Sequence, residues 1–512
     1  MSDSAPIPGS VFPRLLLCAF TLFVSHSTVA DPRDPISLEV PPADQGAPFI
    51  PGVRLVDDLP RDYVEEEYLV AGAATLYSYA NNPPLGPDDL AAIQSDVPYK
   101  TRLILRRPEK SNKFNGTVVI EWWNSTAGFD TAPVWDASAE YFAERGIVYV
   151  GVTNSNQALN YLLGGCRLLG VLAPTCGTRY STLTLPDDGL AYEMMSQIAN
   201  FIRGDDAQNP LPPDFEVARV FHAGESQQAG SVVTYASAFD QHGLHGINDG
   251  YFIQSGVSAR SINSGPACGE AGSPPFPDCT PRLSSADRLV RTDLLVPVYQ
   301  LVTQTDIEVL FGTFGRQDDT ASFRYYEVAG GAHLTTHKDI ELIPGGITGP
   351  DPILLEDLCQ NQINSTADGP VFVSYVLNAL WERMQEQVIS GASPPAGVLM
   401  DVQGGLVQRD ALGNGLGGVR LPSMEVPTNT YTSGNQADPG LPPFLQQIGN
   451  LACFLAGSVT PLDDTTLNML YIDPGAYRSQ IALAVNSLKS QGLLLQSDAI
   501  RINQRAKDGY LD

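Results

Sequence analysis

Basic residues are scarce in this sequence. It has 30 lysines and arginines against 57 aspartates and glutamates, which gives a formal net charge of −27 at pH 7. A field of that sign repels the phosphates of nucleic acids and the head groups of anionic membranes, so we expect neither as a partner. Apolar residues make up 43% of the 512 positions, enough for a large buried core.

Apolar runs long enough to cross a bilayer are also lacking, since a span takes about 20 residues. The run Leu15–Val24 is too short, but it lies near the N-terminus and is followed by the small residues Thr28 and Ala30. This pattern is typical of a secretory signal peptide. We therefore predict that residues 1–30 are removed and that the protein is secreted or periplasmic.

The sequence contains no Cys-x-x-Cys pair and no cysteine beside a histidine, so no metal site is expected and no cofactor is predicted. Six cysteines follow the predicted signal peptide, and an even number in an exported chain favours disulfides. Their spacing favours Cys166–Cys176 and Cys268–Cys279. Cys359–Cys453 then remains and would tie the C-terminal segment to the body.

Apolar runs of strand length alternate with helical patterns along the chain. This alternation is typical of a mostly parallel sheet flanked by helices, so we predict an α/β fold. The predicted strands are Tyr68–Tyr77, Thr101–Leu105, Thr117–Trp122, Ile147–Val152, Val217–His222, Tyr251–Gln254, Leu294–Val302 and Phe323–Val328, and the predicted helices include Val134–Arg145, Asp188–Arg203, Gln228–Phe239 and Val371–Val388.

The predicted organisation is an N-terminal arm over residues 31–66 that is loose over 31–58, a core over 67–390 and a C-terminal extension over 391–512 that packs on the core. Two insertions interrupt the core at about 154–187 and 255–292, and each carries one of the closely spaced cysteine pairs. Long insertions after strands that are closed by a disulfide are typical of a lid or pocket wall. The alternative is a surface loop without function.

The stretch VARVFHAGESQQAGSVVTYASAFD predicts a strand, a sharp turn and a helix. Ser226 lies at the turn, as in a nucleophile elbow, where the hydroxyl is exposed and the next N–H faces a developing oxyanion. Gly224 fits the pattern G-x-S-x-G, but Gln228 stands where its second glycine belongs. The alternative is a glycine-containing turn in which a serine happens to lie.

A serine nucleophile needs a base, and histidine suits neutral pH. His333 follows the predicted strand Phe323–Val328 through the loop Ala329-Gly-Gly-Ala332, at the carboxyl end where sites form in parallel sheets. It is therefore the predicted base, with His337 as the alternative. His222 lies inside a predicted strand and is expected in the core.

The predicted acid is Asp306, the first carboxylate beyond the strand Leu294–Val302, and Glu308 is the alternative. The order serine, aspartate, histidine is that of α/β-hydrolases.

The oxyanion hole is expected to combine the N–H of Gln227 with one from the loop after the strand Thr117–Trp122, from Trp123 or Asn124.

The chain resembles a family of secreted bacterial proteins known as the α/β hydrolase domain family. The resemblance covers most of the chain from about Glu67, in VVIEWWNSTAGFD, YVGVTNSNQAL, RYSTLTLPDDGLAYEMMSQ, HAGESQQAG, QTDIE, YYEVAGGAH and VQRDALGNGLGGVRLPSMEVPTNTY. It implies an α/β-hydrolase fold with Ser226 and His333 at the motif positions. Relatives often carry glutamate where this chain has Gln304, which leaves Asp306 the stronger acid here.

Three further residues match a motif of the family, Arg179, Tyr180 and Asp188, and are expected at a pocket edge or in packing. The predicted function is an exported serine hydrolase of carboxylic esters with a hydrophobic or aromatic part, the ester preference being implied by the resemblance. The alternatives are an amidase or lactonase with the same triad, or a non-catalytic binding protein on the same scaffold.

Overall fold

The structure is a computed structural model that describes residues 1, 35–52, 62–167, 175–240, 247–335, 341–343, 353–364 and 372–509. The predicted signal peptide lies outside the described residues except for Met1. So do His337 and the part of the first insertion over residues 168–174.

Nine strands form the central sheet, in the order β1-β2-β3-β5-β4-β6-β7-β8-β9. Strands β5, β4 and β6 through β9 run parallel to one another, whereas β1, β2 and β3 are antiparallel to their neighbours. The strands are β1 Ser37–Glu39, β2 Tyr63–Tyr79, β3 Leu90–Pro108, β4 Thr117–Trp122, β5 Val148–Val152, β6 Arg219–Glu225, β7 Gly250–Gln254, β8 Val298–Thr303 and β9 Phe323–Val328. The mostly parallel sheet predicted from the alternation is confirmed.

The helices are α1 Pro133–Arg145, α2 Asn156–Leu163, α3 Ala191–Arg203, α4 Gln227–Thr234, α5 Gln304–Val309, α6 Ser374–Ser390, α7 Pro422–Glu425, α8 Pro443–Ala452, α9 Asp464–Leu470, α10 Pro474–Ser490 and α11 Gln496–Asp508. Within the described ranges, three two-stranded sheets lie outside the central one, namely β10 Glu341–Ile343 with β11 Ile353–Leu354, β12 Val402–Gln403 with β13 Leu406–Val407, and β14 Asn429–Thr432 with β15 Ser458–Pro461.

Aromatic side chains fill the core on both faces of the sheet. On one face, Trp381 of α6 stacks on Phe252 of β7 at 4.5 Å between ring centroids and also contacts Phe142 of α1. On the other face, Trp122 of β4 packs against Tyr192 of α3 and against Tyr235, the residue that follows α4. Successive strand residues point to opposite faces, which lets one apolar strand serve both layers.

The N-terminal arm is not loose over residues 35–52, contrary to the prediction. Strand β1 pairs with β2. The carbonyl oxygens of Phe49 and Pro51 accept hydrogen bonds from the buried guanidinium groups of Arg102 and Arg106. A buried guanidinium must satisfy five N–H donors, and the arm supplies acceptors for them.

The disulfides pair Cys166 with Cys176, Cys268 with Cys279 and Cys359 with Cys453, as the spacing predicted. The first two close loops within the two insertions. The described part of the insertion at 255–292 contains neither a helix nor a strand. The lid role of both insertions stays a prediction.

Replacing both cysteines of Cys359–Cys453 with alanine is expected to lower the free energy of unfolding by about 4–5 kcal/mol. The reason is that this bridge spans 94 residues and restricts the unfolded chain strongly. Removing Cys166–Cys176, which spans 10 residues, should cost about 2 kcal/mol less. Denaturant unfolding of the two double variants measures the difference. A larger loss from the short bridge would show that native contacts, not chain entropy, dominate.

The C-terminal extension packs against the sheet edge beyond β9. Val419 forms a β-bridge with Val328 at the end of β9. The N–H of Ala329 donates to the carbonyl oxygen of Val419 at 3.1 Å. Further along, the N–H of Leu334 donates to the carbonyl oxygen of Leu455 at 3.1 Å. The extension therefore holds the loop that carries His333 from both sides.

Candidate active site

Ser226 lies at the corner between β6 and α4 with φ 52° and ψ −112°, a backbone conformation that non-glycine residues rarely adopt. Its N–H donates to the carbonyl oxygen of Gln254, the last residue of β7, at 2.9 Å. Gly224 is required at this corner, since an added Cβ would lie 2.5 Å from the carbonyl oxygen of Gln228. Strained turns of this kind are concentrated at functional sites.

Gln228, at the second glycine position of the motif, is buried at the start of α4. The helix residue that follows it, Ala229, packs directly on Gly256, where an added Cβ would lie 2.1 Å from the Cβ of Ala229. Gly256, just beyond β7, therefore leaves the room that α4 needs to pack at this corner. The departure from G-x-S-x-G does not disturb the corner.

His333 and Asp306 are brought together at the same edge of the sheet. Nδ1 of His333 lies 2.5 Å from Oδ1 of Asp306, and both side chains are buried. The other oxygen of Asp306 accepts hydrogen bonds from the N–H and hydroxyl of Thr303, which fixes the carboxylate at the start of α5. Glu308 does not contact His333; its carboxylate binds Arg409 at 2.9 and 3.0 Å and the N–H of Val407.

Glu225, the residue before Ser226, also reaches the imidazole. Its Oε1 lies 3.0 Å from Nε2 of His333, and its Oε2 accepts a hydrogen bond from Nδ2 of Asn124 at 2.8 Å. In the described part of the chain, Nε2 is therefore bonded to Glu225 and not to the Ser226 hydroxyl. The motif G-x-S-x-G leaves the residue before the serine unspecified, so the contact of Glu225 with His333 was not predicted from the sequence.

The backbone N–H groups of the two residues predicted as second oxyanion donors are engaged elsewhere. That of Trp123 donates to Val152 at 3.3 Å and that of Asn124 to Thr131 at 3.2 Å. The N–H of the next residue, Ser125, points to the side-chain Oε1 of Gln227 at 3.4 Å. The hydroxyl groups of Ser125 and Thr126 face the same oxygen at 3.2 and 3.5 Å.

A buried ionic network holds the loop that follows β4. Arg102 of β3 donates to the carboxylate of Asp130 at 2.7 Å, and the hydroxyl of Thr153 donates to the same oxygen at 2.6 Å. Arg102 and Asp130 are both fully buried. Removing one member of such a pair leaves an uncompensated charge, so the network makes the loop conformation hard to change.

The family-motif residues Arg179, Tyr180 and Asp188 make polar contacts with neighbouring segments. Arg179 binds the carboxylate of Glu67 through two nitrogens at 2.6 and 2.9 Å, and the hydroxyl of Tyr180 donates to the same group. Asp188 accepts a hydrogen bond from the N–H of Asn156 at the start of α2. Arg179 also donates to the carbonyl oxygen of Pro42 at 2.9 Å, so the first insertion is tied to the sheet and to the N-terminal segment.

His222 lies in the core, as predicted. Its Nδ1 accepts a hydrogen bond from the indole of Trp122 at 3.2 Å, which leaves Nε2 to donate to Asn248 at 3.0 Å. Burial lowers its pKa to about 3, so this histidine stays neutral and structural.

Two kinds of feature are absent from the described residues. No described helix has the length and apolar character of a membrane span. No group of three histidine, cysteine, aspartate or glutamate side chains in the described ranges is arranged to hold a metal ion.

A parallel sheet whose strand ends carry a serine elbow and an aspartate–histidine pair defines the α/β-hydrolase class. The profile of the alpha/beta hydrolase domain family matches residues 32–504, and the chain belongs to that family. The resemblance noted from the motifs and the predicted fold class are both confirmed.

Solved structures similar to this chain include esterase Est22, a putative dienelactone hydrolase from Klebsiella pneumoniae subsp. pneumoniae and a fungal esterase from Rhizomucor miehei. Est22 is 11% identical, with 52% of this chain and 72% of that one covered and a TM-score of 0.25. The Klebsiella protein is 12% identical, with 51% and 85% covered and a TM-score of 0.25. The Rhizomucor esterase is 12% identical, with 53% and 75% covered and a TM-score of 0.26. No curated protein matches the chain.

Proposed function

We propose that the protein is an exported serine hydrolase that cleaves carboxylic esters through an acyl-enzyme on Ser226. The observation that carries this proposal is the joint placement of a strained serine corner and a buried His333–Asp306 pair at one end of the parallel strands. A scaffold for binding alone has no need of a serine in a costly backbone conformation. Three disulfides fit an oxidising compartment outside the cytoplasm.

The proposed reaction begins when Nε2 of neutral His333 takes the proton of Ser226 Oγ as Oγ bonds to the carbonyl carbon of the ester. Asp306 holds Nδ1–H and stabilises the imidazolium that forms. The imidazolium then gives its proton to the leaving alcohol as the ester C–O bond breaks. Water, deprotonated by the same Nε2, releases the acid and restores the serine.

The developing oxyanion is proposed to bind the N–H groups of Gln227 and Ser125. Gln227 begins α4, so its N–H is one of those that a helix N-terminus leaves without an intrahelical acceptor. The Ser125 N–H already points at a carbonyl oxygen, that of the Gln227 side chain. We propose that the carbonyl oxygen of the substrate takes the position of this side-chain oxygen. Ser125 then replaces Trp123 and Asn124 as the second donor.

The substrate is proposed to be an ester with a hydrophobic or aromatic part. Three half-buried aromatic rings gather at the loop after β4: Phe129 within it, Phe49 of the N-terminal segment and Tyr161 of α2. Their centroids lie 5.1–6.0 Å apart. Such a cluster favours an apolar group over a charged one.

The test is incubation of the wild-type protein with p-nitrophenyl esters of increasing acyl length and, separately, with a fluorophosphonate probe. The probe should form a phosphorus–oxygen bond to Ser226 with loss of fluoride, and mass mapping should place the adduct on the peptide that contains Ser226. Matched amide and lactone substrates then define the bond preference. Absence of both turnover and labelling would favour a binding protein on the hydrolase scaffold and would overturn the proposal.

A further inference from the structure

The carboxylate of Glu225 has two partners, and both belong to the proposed catalytic machinery or its supporting loop. Oε1 faces Nε2 of His333 at 3.0 Å, while Oε2 is held at 2.8 Å by the side-chain amide of Asn124. The Glu225 side chain is only 4% exposed. A carboxylate this deeply buried is fixed in place by its partners, since unpaired burial of a charge is strongly unfavourable.

The imidazole of His333 therefore lies between two carboxylates. Asp306, at the start of α5, faces Nδ1, and Glu225, at the end of β6, faces Nε2. Among the described residues, Tyr325 of β9 also interacts with Asp306, and it donates its hydroxyl to the carbonyl oxygen of Gly312. Both ring nitrogens can donate to these carboxylates only in the imidazolium form.

The charges around His333 oppose the effect of its burial. Burial by itself lowers the pKa of this imidazole, but the charges and hydrogen bonds of Glu225 and Asp306 raise it to about 10. Below that pH the ring carries two protons and has no lone pair for the Ser226 proton. Above it, one proton is lost to water and Nε2 becomes a base.

We propose that Glu225 is a second positioning carboxylate of this site, which holds His333 as imidazolium before substrate binds and so sets the pH above which Ser226 is activated. This inference rests on the proposed function. Catalysis then requires Nε2 to lose its proton to water and to face Ser226 Oγ, while the Glu225 carboxylate stays on Asn124. The geometry makes Glu225 act through His333, without contact with the reacting carbonyl.

The test is the pH profile of kcat/KM for the Glu225→Gln variant. Glutamine keeps the shape of the side chain, removes one negative charge and can donate a hydrogen bond to the lone pair of neutral Nε2. We expect the acidic limb to move to lower pH by about one unit or more, equivalent to at least a roughly tenfold change in proton concentration. An unmoved limb would overturn the inference.

The matched control is Glu308→Gln, which removes a buried carboxylate from α5 that binds Arg409 and does not contact His333. Its acidic limb is expected to stay at the wild-type pH. A shift equal to that of Glu225→Gln would show a general charge effect and would also overturn the inference.

An NMR titration of histidine ring nitrogens in the wild-type protein gives a readout that needs neither turnover nor a folded variant. The chain has 6 histidines, so the signals are few. The His333 ring is expected to stay doubly protonated well above the usual histidine pKa, and titration near the usual value would contradict the inference. If the wild type neither turns over esters nor reacts with fluorophosphonate, the proposed function fails, and the titration still decides the role of Glu225.

Discussion

Ser226→Ala is expected to hydrolyse p-nitrophenyl butyrate roughly 10⁴-fold to 10⁶-fold more slowly than the wild type and to lose fluorophosphonate labelling. The substitution removes the one atom that forms the acyl-enzyme, and losses of this size are typical when a triad serine is deleted. Measurement of kcat and of covalent labelling at a pH above the acidic limb checks the prediction.

The control for this variant is Ser231→Ala, a serine on α4 about one turn further along the same helix. It should keep wild-type labelling. Thermal unfolding of both variants shows whether the fold is retained, because alanine at the corner inherits the same positive φ. Equal labelling of wild type and Ser226→Ala would mean that another side chain is the nucleophile.

Asp306→Asn is expected to lower kcat by roughly 10³-fold to 10⁴-fold. The side-chain amide of asparagine can turn its NH₂ group toward Nδ1 of His333, which favours the tautomer that carries the proton on Nε2. In that tautomer Nε2 cannot accept the Ser226 proton. Glu225 does not compensate, because it faces Nε2. Steady-state kinetics of the purified variant measures the loss.

Asparagine can still accept hydrogen bonds from Thr303, so the start of α5 should remain formed and the unfolding temperature should change little. Glu308→Gln is again the matched comparison and should keep most of the activity. If Glu308→Gln loses activity while Asp306→Asn retains it, the acid has been assigned to the wrong carboxylate.

The central strands could be predicted closely because they are buried and consist mainly of apolar residues. Strands β4 and β9 have the predicted bounds, and β5 and β7 differ by one residue at their starts. These strands are covered on both faces, so nearly every residue is apolar or paired.

Strands β2 and β3 extend well beyond their predicted bounds. They run over Tyr63–Tyr79 and Leu90–Pro108 as one long antiparallel pair. Residues 92–96 of β3 lie toward solvent. Backbone pairing holds this end of the hairpin, and pairing between strands leaves little trace in side-chain hydrophobicity.

Strand β6 ends three residues later than predicted, at Glu225 instead of His222. The predicted end follows the apolar run Val217–His222, and glutamate is a residue type that is rarely buried unless it is paired. Glu225 is therefore outside the predicted strand. It lies buried here because His333 and Asn124, both about 100 residues away along the chain, meet its two oxygens. The local sequence pattern does not show that Glu225 meets His333 and Asn124.

Taken by itself, the sequence determined the alternation of strands and helices that forms the mostly parallel sheet, the sharp corner at Ser226 and the disulfide pairing. Each of these depends on residue type and short spacing, which local backbone preferences and burial translate directly into structure. Only the tertiary structure decided which carboxylate meets which nitrogen of His333, that the N–H groups of Trp123 and Asn124 are already used, and that the N-terminal segment lies on buried arginines. Those outcomes depend on which distant buried polar groups the folded sheet brings together, since each of them must find a hydrogen-bonding partner.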